Sequence, residues 1–201
     1  MPFPTPFNSQ SSEIISYDYS DIAEGAGIQQ FYGARDETGT FFLSSNQVYS
    51  NLIESTVNGA VKSCVFETGE FNAPKTIFGT AMITFCSKTL GATGAIRTQA
   101  SINLYRVSGG VDTLLGAASG ALIAGSDVDT THVFRLPITT RTAIKKGDKI
   151  KLNAFFSSTD AGCSMSIGHD PMNRNGTNIT PSSDEVTTQL KTYVPFELPN
   201  A

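Results

Sequence analysis

The stretch that decides the fold is Ile96–Val107, IRTQASINLYRV. Ile96, Thr98, Ala100, Ile102 and Leu104 alternate with Arg97, Gln99, Ser101, Asn103 and Tyr105. A period of two puts the first set on one face of a strand and the second on the other, so the segment reads as a half-buried β-strand. Ser108-Gly109-Gly110 follows, and its glycines accept the positive φ of a hairpin turn. Lys149–Ser157, KIKLNAFFS, repeats the pattern after the turn Gly147-Asp148. There Ile150, Leu152, Ala154 and Phe156 point inward, while Lys149, Lys151 and Asn153 point out.

The same punctuation extends to both sides. Ile28–Ala34, Thr40–Leu43, Val61–Glu67 and Thr76–Ser87 read as strands. So do Asp129–Ile138, ended by Pro137, the short Cys163–Gly168, and Val186–Val194 with Val186, Thr188, Leu190, Thr192 and Val194 on one face. From residue 61 onward this gives about seven or eight strands joined by short Gly/Asp/Ser turns. No stretch carries a helical period, and Leu114–Ser126 reads equally as a helix turn or a flat strand. Strands without intervening helices mean a sandwich or a barrel. The expected class is all-β: an antiparallel β-sandwich of jelly-roll type with an extended N-terminal arm. An immunoglobulin-like sandwich is the alternative, weakened by the absence of Trp and of a well-spaced Cys pair. The expected organisation is an arm over 1–13, a β-containing segment over 14–60 that packs on the sandwich or a neighbour, and the sandwich itself over 61–201.

Pro2, Pro4 and Pro6 hold the arm extended and leave Phe3 and Phe7 without a core of their own. Either the arm frays, or its phenylalanines dock in another subunit. No basic and apolar leader opens the sequence, so no signal peptide is expected, and no apolar run is long enough for a membrane helix. Cys64, Cys86 and Cys163 are odd in number, widely spaced and set in apolar runs. They read as buried free thiols, consistent with assembly in a reducing cytoplasm.

Charged residues make up only 16% of the 201-residue chain, whereas Ser and Thr together exceed a fifth of it. The net charge of −4 hides an acidic 1–70, a basic 71–155 and an acidic remainder. The basic middle holds Arg135, Arg141, Lys145, Lys146, Lys149 and Lys151. Packing of the acidic segment on this centre is the preferred reading over a nucleic-acid patch. A weakly ionic, hydroxyl-rich surface is that of a protein packed among copies of itself, and closed assembly also protects edge strands.

The search for chemistry yields little. Only His132 and His169 are available for a histidine-based triad. Ser119 is misplaced in Gly116-Ala-Ala-Ser-Gly120 for a nucleophile elbow. Asp127, Asp129 and His132 read as a solvated turn entering a strand, and His169-Asp170 as a surface pair capping a turn. Asp170–Gly176 fails the calcium-loop spacing. Residues 168–185 form a long turn-rich loop, either functional or disordered. The expectation is therefore a chain that is not an enzyme and has no catalytic, cofactor or metal residues.

Three segments resemble uncharacterised virion proteins of environmental phages: Tyr17–Gly33 (YDYSDIAEGAGIQQFYG), Ile144–Leu152 (IKKGDKIKL) and Leu190–Leu198 (LKTYVPFEL). The Lys-Gly-Asp-Lys turn is also similar to that of tumour-necrosis-factor and C1q jelly rolls. The resemblance implies a virion structural protein, a trimeric capsid decoration (cement) protein assembled in the host cytoplasm. The expected partners are copies of the chain and the major capsid protein or another virion component, with neither nucleic acid nor membrane. Phe3, Phe7, Tyr17, Tyr19, Arg141, Lys145, Lys146, His169, Asp170 and Arg174 are the candidate interface residues. The alternative is a fibre-tip or lectin-like carbohydrate-binding module, with the 168–185 loop and Tyr17, Tyr19, Tyr32 and Tyr105 as contacts.

Overall fold

The computed structural model describes residues 27–48, 52, 54–58, 60–90, 96–160, 162–172 and 188–197. These form twelve strands and no helix. They are β1 (Gly27–Arg35), β2 (Phe41–Ser44), β3 (Glu54–Asn58), β4 (Val61–Thr68), β5 (Lys75–Leu90) and β6 (Arg97–Ser108). Then come β7 (Val111–Ser119), β8 (Ile123–Ala124), β9 (Thr130–Ile144), β10 (Lys149–Ser158), β11 (Ser164–Gly168) and β12 (Lys191–Glu197). The chain is all-β, as the alternating runs dictate.

The hydrogen-bonded path runs β3-β11-β5-β12-β1-β2-β4-β10-β6-β7, with β9 added to β5 and β8 to β6. Long β5 organises one layer. Along one edge it pairs with β9, and along the other with β12 and then β11. The second layer is β4-β10-β6-β7, antiparallel throughout. β1 and β2 carry the ladder from one layer to the other, through a short parallel β2–β4 contact at Phe42–Glu67 and Leu43–Thr68. The ladder folds over on itself, so that β9 packs on β7 and β6, and β11 on β10 and β4.

The sandwich interior holds the inward set read from sequence. Thr98, Ala100, Ile102 and Leu104 of β6 are buried, as are Ile150, Leu152, Ala154 and Phe156 of β10. They meet Ile77, Ala81, Ile83 and Phe85 of β5 and Phe134, Leu136 and Ile138 of β9. Burying each large side chain contributes roughly 1.5–3 kcal/mol, which makes this layer-to-layer contact the main driving force for the fold. Phe85 and Phe134 stack at 5.8 Å between centroids. All three cysteines are buried and unbridged, as expected.

Two boundaries differ from expectation, and the open reading of Leu114–Ser126 is settled as strand. β9 does not stop at Pro137 but runs through it, paired Pro137–Thr80. β9 lies at the edge of its layer, where a residue without an N–H is tolerated. Val111–Ser119 is a strand and not a helix turn, and Ile123–Ala124 is a second short one. The last strand starts at Lys191 and passes through Pro195, which falls at a register shift between Tyr193 and Phe196. Opposite that shift, Gly79 of β5 adopts φ 116°, and a Cβ there would lie 3.4 Å from Pro195. A glycine accepts both the left-handed backbone and the close ring.

Candidate functional site

Phe3, Phe7, Tyr17, Tyr19 and Arg174 lie outside the described residues. Arg141 is exposed on β9, at the place where the β5–β9 register shifts. Its guanidinium reaches Glu197 at 3.2 Å and sits over the Phe78 ring at 4.9 Å. Lys145 and Lys146 project into solvent from the turn before β10. That turn is tightly built. The Lys145 N–H donates to Asp148 Oδ2 at 2.8 Å, and the Asp148 N–H donates back to the Lys145 carbonyl at 3.0 Å. Arg106 Nε donates to the same carboxylate at 2.7 Å. Burial alone would raise the Asp148 carboxyl, but the Lys145 N–H, the Ser108 hydroxyl and Arg106 outweigh it and hold it at about 2.

The surface His–Asp pair read from sequence is a buried pair in the structure. His169 and Asp170 are both fully buried. The His169 ring packs edge-on against Phe41 and Phe66, at 5.5 and 6.1 Å. Burial pushes its imidazole down to about 4, so it is neutral at physiological pH. Asp170 Oδ1 accepts the Met172 N–H at 3.1 Å, and Gln189 Nε2 donates to the Pro171 carbonyl at 3.0 Å. The chain after β11 is thereby tied inward where a surface loop was expected. Among the described residues no group of His, Cys, Asp and Glu is arranged to hold a metal.

Three features were not legible in the sequence. The first is the outer face of β4-β10-β6-β7. The register sets Val65, Asn153, Asn103 and Ala117 in one row across the four strands, and Ser63, Phe155, Ser101 and Ser119 in the next. A third row, Glu67, Lys151, Tyr105 and Leu114, begins the charged end. There the charges pair off: Lys149 with Glu67 at 3.8 Å, and Lys151 with Asp112 and over the Tyr105 ring. Arg97 is exposed at the opposite end of β6, and between the two ends the face is uncharged, with Val65 41% exposed; Leu114, at the edge of the charged end, is 54% exposed.

The second feature is a cleft of about 380 Å³ between β1, β2 and the segment joining β4 to β5. Gln29, Ser44, Glu70, Phe71 and Lys75 are among its walls. Lys75 Nζ lies 3.4 Å from Gln29 Oε1 and faces the Phe71 and Phe196 rings at 5.8 and 5.2 Å. The third is a contact between Ser87 Oγ on β5 and His132 Nε2 on β9, at 2.7 Å. Ser87 is 1% exposed, and the imidazole lies among Phe85, Phe134 and Phe156. Forty-five residues separate the pair, so only strand pairing brings them together.

No protein-family model and no curated protein matches the sequence. Solved structures do match in fold. An α-amino acid ester hydrolase superposes with a TM-score of 0.58 at 10% identity, over 84% of this chain and 36% of that one. An aminopeptidase from a marine sediment Thaumarchaeota archaeon gives 0.48 at 10% identity, over 67% of this chain and 25% of that one. A CocE/NonD family hydrolase from Staphylococcus aureus gives 0.49 at 8% identity, over 86% and 37%. The chain thus spans about a third of the length of the hydrolases it matches. The first likeness overturns the expectation that this chain is not an enzyme, because its fold is one that a hydrolase contains. At this identity the likeness shows the fold alone.

Proposed function

We propose that this chain is a structural subunit that assembles with copies of itself through the outer face of β4-β10-β6-β7, and that in its finer form it is a virion decoration protein forming trimers on a capsid. The observation that carries the reading is the distribution of charge on that face. Its ion pairs gather at one end, and between that end and Arg97 at the other the outward positions are Val, Ala, Ser, Asn, Gln and Phe, with the Asn, Gln and Phe side chains half-buried. A partner docking there desolvates few unpaired charges, which is where association otherwise loses most free energy. Four strands at about 4.8 Å spacing, each about eight residues long, give a flat area of roughly 500 Å² before side-chain relief is counted. That approaches the roughly 800 Å² per partner of a standard stable interface. The low overall charge and the resemblance of the three segments to phage virion proteins support the same reading.

Mass photometry of the purified chain tests it. The expected result is a discrete oligomer, with a trimer as the decoration reading requires. Val65→Lys or Leu114→Lys shifts it to monomer without lowering the unfolding temperature. A monomer at micromolar concentration, or an oligomer indifferent to both substitutions, overturns the proposal.

A further inference from the structure

The cleft between β1, β2 and the β4–β5 connection lies apart from the assembly face. Its volume of about 380 Å³ is far more than one water or ion occupies and falls within the range of small-molecule sites. Its chemistry is mixed in a particular way. Phe71 offers a half-buried aromatic wall, while Gln29 and Ser44 offer groups that both donate and accept. The two ionic groups have opposite sign: Lys75, held between ring faces beside Gln29, and Glu70 at the exposed rim. An anion therefore meets a carboxylate and a cation meets an ammonium, so the walls favour neither net charge. A neutral ligand rich in hydroxyls satisfies both ends, because each hydroxyl donates to Glu70 and accepts from Lys75. The C–H face of a saturated ring also suits the Phe71 wall.

We propose that this cleft binds a neutral carbohydrate of one or two sugar rings, with Gln29, Glu70 and Lys75 as the hydrogen-bonding residues and Phe71 as the stacking wall. The residues belong to β1, to the β4–β5 connection and to the first position of β5, so the site exists only once the ladder has closed.

Isothermal titration of the full chain with glucose, galactose, mannose, N-acetylglucosamine, maltose and cellobiose tests this. At least one neutral sugar binds saturably, and Gln29→Ala and Glu70→Ala each weaken it by about tenfold or more. Both substituted side chains reach solvent, so the unfolding temperature stays unchanged and reports an intact fold. Absence of saturable binding by every neutral sugar overturns the assignment. So does binding indifferent to both substitutions, or binding of inorganic phosphate or free amino acids alone. Subunit count is read separately, so this result stands or falls independently of self-assembly.

Discussion

Asp148 is 3% exposed and serves three purposes at once: it closes its own turn, accepts from the Lys145 N–H and pairs with Arg106. Its own carbonyl also accepts the Phe71 N–H at 2.9 Å, which ties the β4–β5 connection to the start of β10. Removing the carboxylate leaves the Arg106 guanidinium, itself largely covered, without its anion. Asp148→Ala is expected to cost about 2–4 kcal/mol, seen as a lowered urea midpoint with an unchanged slope. His169 acts at the same scale through protons. Its folded pKa of about 4 lies below the ordinary histidine value of about 6.5. The unfolded chain therefore takes the proton first as pH falls, and stability drops from about pH 6.5 toward about pH 4. The loss at the low end is on the order of 3 kcal/mol, and burial of His132 pushes in the same direction. Urea midpoints at about pH 7.5 and about pH 4.5 read the drop, and His169→Gln is expected to shrink it. An unchanged pH dependence in that variant would remove His169 from the account.

At the scale of the element, close approach matters more than propensity. Gly168 ends β11 opposite Cys86, and a Cβ there would fall well inside van der Waals contact with Cys86 Sγ and 3.1 Å from the Thr188 carbonyl. Gly168→Ala is expected to destabilise by about 3 kcal/mol or more, since the backbone on one side cannot give way. Adding Cys86→Ala removes the clashing sulfur, so the double variant should be more stable than Gly168→Ala alone in thermal unfolding. A double variant no better than the single one would place the strain at Thr188. The strands themselves were largely legible from alternation, because β6 and β10 each have one dry and one wet face. Pro137 misled, because proline reads as a stop unless the strand is known to lie at an edge. His169 misled for a related reason: a His-Asp pair among turn residues looks solvated until Phe41 and Phe66 are seen to enclose it.

At the scale of the whole molecule, the parts most relevant to function were assembled from distant segments. The proposed assembly face joins β4 to β7 by way of β10 and β6, so its uncharged rows combine residues 63–65, 101–103, 117–119 and 153–155. The cleft joins β1 and β2 to the β4–β5 connection. Composition alone indicates a sparsely charged surface, since 16% charged residues leave little with which to cover it, but not which strands share the uncharged rows. Nothing in composition anticipated the cleft. Self-assembly through the face and sugar binding in the cleft are expected to respond to different substitutions: Val65→Lys should change subunit count and leave titration with sugars intact, and Gln29→Ala the reverse. Loss of both properties in either variant would mean that the two surfaces are one.

By itself, the sequence determined that this chain is built of strands, which faces of β6 and β10 are dry, and that its thiols stay buried and unpaired. Those are consequences of spacing and side-chain chemistry, which act locally. The tertiary structure alone decided that β2 meets β4 in parallel, that Ser87 meets His132, that His169 and Asp170 turn inward, and that a cleft opens beside Lys75. Each depends on which strands become neighbours, and that is settled by the joint burial of one core, which no single segment encodes.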